Sequence, residues 1–468
     1  MPVLTLDQIE RINRQSFGLL ETVGLRLGNE RVQSMLLARG ARPGDRSGML
    51  RLPRSLVEES LHAAPRVVEL ASLDGSSVEL TADGPSVFWT VNALSIADGK
   101  TIRPIDEKAF IDICRVAQHC PNVHATVAPA ISDYPPHHRD FVGLRLLAEN
   151  TTKHLRPCIY TPDGTLAVRE MGEVLAGGAA LRDRPVYSLG FTSVSPLTWS
   201  PMALEVFIKS SGAGVPIMVN AEPIAGATGP VTLAGTLALA NAEALGGLTI
   251  LQLLEPGRPC VFNLGFSHVM DMRTTVTRTG SPECALMQAA GAELARSHGL
   301  PSASWASTES LSVDGQACYE KVMTGLMHIL STVNIIWGIG QLEAQRTVSL
   351  PQMVIDDEIA GALYRLQRGI EVTEETLAFA TIAELGPGAD YLGHEHTLSH
   401  FRTEVHYGSL TWTDRRERWE QAGQLDLTTR AEARVAEILA GSPPCQLPED
   451  VRRRLAAIQA KWMARANS

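Results

Sequence analysis

Short apolar segments alternate with longer amphipathic ones through the middle of the chain. Eight of the short segments are rich in β-branched and aromatic residues, and most lack a regular alternation of apolar and polar positions. Such runs are typical of strands that are buried on both faces of a parallel sheet. The predicted strands are Val87–Val91, His124–Ala128, Cys158–Thr161, Val186–Phe191, Ile217–Asn220, Cys260–Leu264, Ala303–Ala306 and Val333–Trp337.

Helical patterns lie between these predicted strands. They occupy Asp106–His119, Arg139–Asn150, Ala203–Ser211, Pro230–Leu254, Pro282–His298 and Asp314–Leu330. A strand followed by a helix, repeated eight times, predicts an α/β fold of the (β/α)8 TIM barrel type. A doubly wound open sheet is the competing fold. The sequence has no G-x-G-x-x-G run after the first predicted strand and no Walker motif, so the common nucleotide-binding forms of that fold lose support.

The barrel pattern covers only part of the 468 residues. We predict an N-terminal extension of mixed structure at 1–86, a barrel core at 87–351 and a helical region at 352–468, packed on the barrel or on a neighbouring subunit. The helices predicted in the two outer regions are Leu6–Leu27, Leu425–Ala440 and Glu449–Ala464, the last two separated by the run GSPPCQLP.

Charge and composition narrow the classes of partner. The chain carries 41 basic and 51 acidic residues, a net charge of −10, which argues against binding to nucleic acid or to an anionic membrane. Asn241, Glu243 and three glycines interrupt the long apolar run Pro230–Leu254, so we interpret it as a buried helix rather than a membrane span. No secretory signal is evident, and we expect a soluble cytoplasmic protein.

The seven cysteines are scattered along the chain and never form a C-x-x-C pair. A disulfide framework or a zinc ribbon is therefore not expected, and the cysteines are interpreted as buried free thiols.

Barrel enzymes of this type bind substrate at the carboxyl ends of their strands. Three tryptophans fall at or near the ends of the first, seventh and eighth predicted strands, which are neighbours in a closed barrel. Aromatic faces with carboxylates nearby, including Asp133, could hold an organic cation, although tryptophan at such positions is also common as core filling. The candidate binding residues are Trp89, Asn92, Tyr160, Phe191, Asn220, Glu222, Asn263, Trp305, Glu309 and Trp337, with Arg273 as a candidate for a substrate carboxylate.

The run Pro223–Leu254, PIAGATGPVTLAGTLALANAEALGGLTILQLL, resembles the trimethylamine methyltransferase family, whose members carry a similar GATAPVTLAGTLxxxNAExLAG run. Further matches follow in the same order along almost the whole chain. They are DMRT at Asp271–Thr274, PE at Pro282–Glu283, D-x-Q-A at Asp314–Ala317, LGPGADYL at Leu385–Leu392, HTLSHFRTE at His396–Glu404 and W-x-x-x-G-x-x-D at Trp419–Asp426.

This resemblance implies a methyltransferase that moves a methyl group from a methylated amine to the Co(I) of a corrinoid (cobalamin) on a separate corrinoid-binding protein. Members without pyrrolysine resemble demethylases of quaternary amines such as glycine betaine, and this chain has no pyrrolysine. A quaternary amine already carries its positive charge, so the protein needs to desolvate and aim the substrate without a catalytic acid, base or nucleophile. Nearby carboxylates are expected behind the residues that contact the substrate or on the entry path.

Two departures from the family pattern bear on the substrate. Leu311 stands where relatives often have lysine. Many relatives also carry a histidine just after the N-x-I element of the eighth strand, where this chain reads Asn334-Ile335-Ile336-Trp337-Gly338. A bulkier or more apolar quaternary amine is the hypothesis drawn from Trp337. The alternative is a barrel of the same family that binds a quaternary ammonium group but has lost or replaced corrinoid chemistry.

Other chemistries have weaker support in the sequence. His394, His396 and His400 form an H-E-H-x-x-x-H run, which is not the H-E-x-x-H arrangement of zinc proteases, and no bound metal is predicted. No G-x-S-x-G elbow of a serine hydrolase occurs. Buried Asn241 and Glu243 are expected to brace a loop, since buried polar groups need partners. A homo-oligomer is expected.

Overall fold

The computed structural model describes residues 2–442 and 447–466, and eight parallel strands form its centre. The strands, numbered in chain order, are β1 (Val87–Thr90), β2 (Val123–Val127), β3 (His154–Arg156), β4 (Leu189–Thr192), β5 (Ile217–Asn220), β6 (Cys260–Asn263), β7 (Ala303–Trp305) and β8 (Ile335–Ile339). The prediction of an α/β protein with short parallel strands is confirmed.

Hydrogen-bonded ladders arrange these strands in two sheets. One sheet has the order β3-β2-β1-β8-β7 and the other has the order β4-β5-β6. Single parallel bridges join the sheets at both edges, between Leu155 and Tyr187 and between Phe262 and Ser302. The regular ladders therefore form two parallel sheets, and a single bridge connects the two sheets at each edge.

The third strand begins and ends earlier than the predicted segment Cys158–Thr161. Its residues His154 and Arg156 are polar, so the apolar pattern did not reveal them. Beyond Pro157, which has no N–H group, the carboxylate of Asp140 takes the place of a neighbouring strand. Its oxygens accept hydrogen bonds from the backbone N of Tyr160 at 2.5 Å and of Thr161 at 3.2 Å.

The fourth and eighth strands are also shifted. Leu189–Thr192 starts three residues later than predicted, and Tyr187 before it forms only the single bridge to Leu155. The eighth strand runs to Ile339, which leaves Trp337 in its middle and not at its end.

One helix follows each strand on the way to the next. The eight helices are Glu107–His119, Pro136–Asn150, Gly164–Leu175, Pro201–Ser210, Leu233–Leu254, Pro282–Ser297, Gly315–Leu330 and Leu350–Arg368. Several start at a side-chain cap that local sequence dictates. Ser200 and Ser281 each accept a bond from the third residue of their helix, and a proline fills the first helical position after each.

Leu233–Leu254 is the one helix of the described residues long and apolar enough to cross a membrane by length and composition, and 89% of its apolar window is buried inside the fold. The N-terminal helix Leu6–Thr22 packs on it, with Ser16 donating to the carbonyl of Ala238 at 2.9 Å. The interpretation of a buried helix is confirmed.

The N-terminal helix stops at Thr22 and not at the predicted Leu27. Gly24 has a φ of +86°, a conformation that ends a helix, and Leu25–Leu27 then pairs as a strand. The other elements before β1 are Glu30–Ala38, Arg42–Pro43, Met49–Arg51, Arg54–Ala63, Val68–Ala71 and Ser77–Leu80. The hairpin of the last two supplies Val68, Leu70 and Leu80 to a core cluster that contains Trp89.

Short strands also lie in the loops that follow the central strands. They are Ser95–Asp98, Thr101–Pro104, Thr198–Trp199, Ile224–Ala225, His268–Asp271, Val276–Arg278, Gln341–Leu342 and Thr347–Ser349, with a 3-10 turn at Glu343–Gln345.

Six further helices lie after Arg368 in the described residues. They are Glu374–Leu377, Phe379–Leu385, Glu395–Glu404, Arg416–Gln421, Leu427–Ala440 and Glu449–Ala466. The last two pack on helices of the central fold, and the indole of Trp462 donates to Glu170 at 2.8 Å. Residues 369–425, called the outer segment below, contain a single buried residue, Leu410. The division into 1–86, 87–351 and 352–468 stays a prediction.

Candidate functional site

A cavity of about 580 Å³ lies at the carboxyl ends of the strands. The structure brings seven of the eleven predicted site residues to its wall: Asn92, Tyr160, Phe191, Asn220, Glu222, Trp305 and Trp337. Arg156, Phe266 and Gln345 also line it and were not predicted. A cavity of this size is within the range that holds small-molecule ligands.

Three aromatic rings form one side of the cavity. Phe266 stacks on Trp305 with ring centroids 4.0 Å apart, and its edge meets Trp337 at 5.8 Å. The two indole nitrogens have no hydrogen-bond partner among the described residues, although both are buried. This side of the cavity therefore offers aromatic faces, which attract a cation without accepting a proton from it.

Trp89 lies below this wall and not at the mouth. It is 1% exposed and packs against Trp337 with ring centroids 5.3 Å apart. Trp89 occupies the middle of β1, where a side chain that points between the sheets is part of the core. The placement of Trp89 on the cavity wall is therefore corrected to the layer beneath it.

Asn263 also lies outside the cavity wall, but it positions a residue that lines it. The amide of this fully buried side chain donates to Oδ1 of Asn220 at 2.9 Å, and the amide of Asn220 donates to Thr192 at 3.3 Å. The three side chains form a polar ladder across β6, β5 and β4. It holds the Asn220 amide in one orientation beside the cavity.

The carboxylate of Glu222 lines the cavity as half of a pair with His268. The Nε2 of His268 lies 3.1 Å from Oε1 of Glu222, and its ring stacks parallel to Trp305 at 5.5 Å. Burial alone would lower the pKa of His268. Contacts with Cys284 and Glu222 outweigh burial and raise this pKa above its usual value, to about 9. At neutral pH the pair is thus an imidazolium beside a carboxylate, with little net charge.

Three predicted acidic or basic groups turn away from the cavity because they have local partners. Glu309 accepts bonds from the backbone N of Thr279 and Gly280, both at 2.6 Å, and so braces the loop before helix Pro282–Ser297. The guanidinium of Arg273 is exposed and binds Asp271 at 2.6 Å. Asp133 accepts from the backbone N of Glu107 at 2.7 Å.

Arg156 is the most unexpected residue of the wall. It is 6% exposed, and its guanidinium lies 5.6 Å from the ring centroid of Trp337. Burial lowers its pKa to about 10, so the group is still a cation at neutral pH. The sequence contained no clear signal for it, because the apolar run after it was mistaken for the third strand.

A buried glutamate supports the loop that follows β4. Glu243 accepts bonds from Ser193 at 2.5 Å, from Ser195 at 2.7 Å and from the backbone N of Leu197 at 2.8 Å. Ser193 lines the cavity, so this helix side chain fixes part of its rim. Asn241 instead bonds Asn13 and Ser16 of the N-terminal helix. The expected bracing role is confirmed for Glu243.

The histidine run lies far from this arrangement, in the outer segment. His396 and His400 stack with centroids 4.3 Å apart, and His400 faces Glu375 at 3.3 Å. Across residues 2–442 and 447–466, no group of three or more His, Cys, Asp or Glu side chains is arranged to hold a metal ion. Four of the six described cysteines are buried free thiols and two are partly buried; Cys445 lies outside the described residues.

A parallel α/β fold with an aromatic cavity at its strand ends defines a class of small-molecule enzymes rather than one chemistry. The model of the family "Trimethylamine methyltransferase (MTTB)" matches residues 1–466, and this chain belongs to that family. The resemblance stated from the sequence motifs is confirmed.

Individual relatives agree with this assignment. The trimethylamine methyltransferase MttB of Desulfitobacterium hafniense (strain DSM 10664 / DCB-2) is 30% identical, with 97% of this chain and 92% of the relative covered. The glycine betaine methyltransferase of Desulfitobacterium hafniense (strain Y51) is 29% identical, with 98% and 96% covered. The prediction of a methyltransferase is confirmed at the level of the class of enzyme.

A solved structure supports the fold. The crystal structure of the Methanosarcina barkeri monomethylamine methyltransferase (MtmB) superposes with a TM-score of 0.58 at 12% identity, covering 99% of this chain and 88% of that one. At this identity the likeness concerns the fold alone.

Proposed function

We propose that this protein transfers a methyl group from a quaternary amine of the betaine type to the Co(I) of a corrinoid carried by a partner protein. The observation that carries the proposal is the aromatic wall of Phe266, Trp305 and Trp337 on one side of the cavity. Quaternary ammonium groups have no N–H to donate, so aromatic faces are their best binding surface.

The chain's own residues bind and aim the substrate. The aromatic wall replaces water around the methyl groups, and this desolvation makes the methyl carbon more reactive. The Asn220 amide and the rim held by Glu243 fix the orientation of the bound molecule. No side chain needs to take or give a proton, because the departing amine leaves as a neutral molecule.

The corrinoid would reach this cavity with its partner protein and would not be bound permanently by this chain. It supplies a cobalt nucleophile that can accept a methyl group. Leu94 and Val194 line the cavity and are 62% and 54% exposed, which makes an apolar rim suited to a docking protein.

The relative named glycine betaine methyltransferase supports a betaine as the substrate. The cavity of about 580 Å³ leaves room for a larger amine than glycine betaine, and Trp337 adds apolar surface. Leu311, which replaces a lysine of relatives, is 72% exposed and absent from the cavity lining, so its loss does not remove a contact from this wall.

The proposed architecture is a closed (β/α)8 barrel. The strand order is consecutive through both sheets, β8 lies beside β1, and a bridge spans each junction. We also propose a soluble cytoplasmic homo-oligomer. The outer segment exposes apolar side chains such as Ile370, Phe379 and Leu392, which are 87%, 78% and 80% exposed and could pack on a second copy.

A methyl-transfer assay with Co(I) cobalamin and a panel of betaines tests the proposed function. We expect loss of Co(I) absorbance to depend on one or more quaternary amines. Trimethylamine, which lacks the permanent charge, is the matched control and should react poorly.

The same assay separates the alternative function. Tight binding of a quaternary amine with no transfer from any member of the panel would contradict the proposed reaction. It would favour a binding protein of the same family.

A further inference from the structure

Arg156 is a buried cation that faces the substrate cavity without a carboxylate to neutralise it. Among the described residues, it is the only lysine or arginine that lines the cavity. None of its nitrogens lies within ion-pair distance of an acidic side chain in the part of the chain that the structure describes. The acidic residue of the same wall, Glu222, is already paired with His268.

The hydrogen bonds of Arg156 use only part of its donor capacity. Its Nη1 donates to the carbonyls of Pro157 at 2.7 Å and Ser188 at 3.4 Å, and its Nη2 to that of Gly190 at 3.3 Å. Its Nε is buried and has no partner among the described residues. Nη2 carries two N–H groups and has one acceptor, so it keeps a donor from which a carboxylate can accept a charge-assisted hydrogen bond.

An unpaired buried cation destabilises a protein unless something compensates its charge. Here it also affects ligand choice. A ligand with only a positive charge is repelled by the Arg156 guanidinium, because like charges close to a low-dielectric protein interior repel each other. A ligand that also carries a carboxylate offsets this repulsion, and its carboxylate supplies a hydrogen-bond acceptor for Arg156.

We infer that Arg156 binds the carboxylate of the betaine while the aromatic wall holds its quaternary nitrogen. The inference rests on the proposed function and deepens it by making Arg156 the residue that selects betaines over simple quaternary amines. Because the guanidinium lies 5.6 Å from the Trp337 ring centroid, the two binding regions are adjacent. The ligand therefore needs only a short spacer between its two charges.

This assignment replaces the candidate from the sequence, Arg273. Its side chain is 84% exposed, it is saturated by the neighbouring Asp271, and it does not line the cavity. An exposed, paired arginine contributes little to binding. Arg273 is accordingly a suitable control residue.

Equilibrium binding of glycine betaine and choline tests the inference, because both carry a trimethylammonium group and only glycine betaine has a carboxylate. We expect the intact protein to bind glycine betaine about 100-fold more tightly than choline. In Arg156→Met this preference should disappear, through about 100-fold weaker betaine binding with choline binding unchanged or improved. Arg156→Lys should keep part of the preference, and Arg273→Gln should keep all of it.

The outcomes separate a binding role from a structural one. If Arg156 only joins β3 to β4 through the carbonyls, its substitution will weaken both ligands equally, and the inference is overturned. Should Arg156→Met fail to fold, the intact protein and Arg156→Lys still decide. Equal binding of both ligands by the intact protein would reject the inference and leave the proposed function standing. Binding of neither ligand, nor of any other betaine in the panel, would reject both.

Discussion

The cavity wall and the outer segment use the same kinds of apolar residue in opposite surroundings. Trp305 and Trp337 are each 4% exposed, whereas Phe379 and Leu392 are 78% and 80% exposed. The wall is packed by the chain itself, so its aromatic faces are held in place before any ligand arrives. The outer segment has almost no interior of its own, and its apolar side chains are open to solvent in the single chain.

Ion pairs of the central fold and of the outer segment differ in the same way. Lys321 and Asp356 meet at 2.5 Å with side chains only 2% and 4% exposed. Asp356 also accepts from the backbone N of Gly340, and Lys321 donates to the carbonyl of Gly338, so the pair anchors the end of β8. In the outer segment, Arg416 and Glu420 pair at 3.5 Å while 76% and 46% exposed. Position, rather than residue type, decides how much each pair contributes.

The largest expected effect is on folding stability. Lys321→Met should lower the free energy of unfolding by about 3–5 kcal/mol, because it leaves the buried Asp356 carboxylate without its partner. Denaturant unfolding followed by tryptophan fluorescence measures this. Arg416→Ala is the matched control in the outer segment and should change stability by less than about 0.5 kcal/mol. Equal losses in the two variants would remove the distinction between the regions.

An intermediate effect is expected on ligand binding. Trp337→Ala should weaken binding of the quaternary amine by about 1–2 kcal/mol through the loss of a cation–π contact. Titration calorimetry with the best betaine of the panel measures the dissociation constant. Trp337→Phe keeps an aromatic face and should recover most of the affinity. An unchanged dissociation constant in Trp337→Ala would take this residue out of the binding site.

The smallest expected change in folding energy belongs to the outer segment. Leu392→Asp should alter unfolding of the dissociated chain by less than about 0.5 kcal/mol, since Leu392 makes no buried contact. Its effect should be on assembly, as a charge placed in a subunit interface opposes association. Light scattering coupled to gel filtration gives the mass. An intact protein that is already monomeric would contradict the proposed oligomer.

The sequence predicted the alternation of strands and helices well, because the spacing of apolar residues differs between the two kinds of element. β5 matches its predicted bounds, and the helix Leu233–Leu254 starts three residues inside its predicted bounds. Most of the wall was also found, since residues at the ends of consecutive parallel strands must converge.

The failures have physical causes of their own. β3 is short and contains two polar residues, His154 and Arg156, so no apolar pattern marks it. Both ring nitrogens of His154 have hydrogen-bond partners inside the fold, and Arg156 has partners for part of its guanidinium. Missing that strand also meant missing Arg156. Trp89, Glu309 and Arg273 were misplaced because sequence gives a position along a strand or loop, but not the partner that a side chain will find there.

The way in which Asp140 ends the third strand has a consequence for how this family can diversify. The amides of Tyr160 and Thr161 are held by a helix side chain and not by an adjoining strand. Residues beyond Pro157 can therefore be inserted, deleted or replaced without breaking a ladder of the sheet. We expect relatives that differ in the size of their substrate to differ in this loop, while the neighbouring strands keep their register.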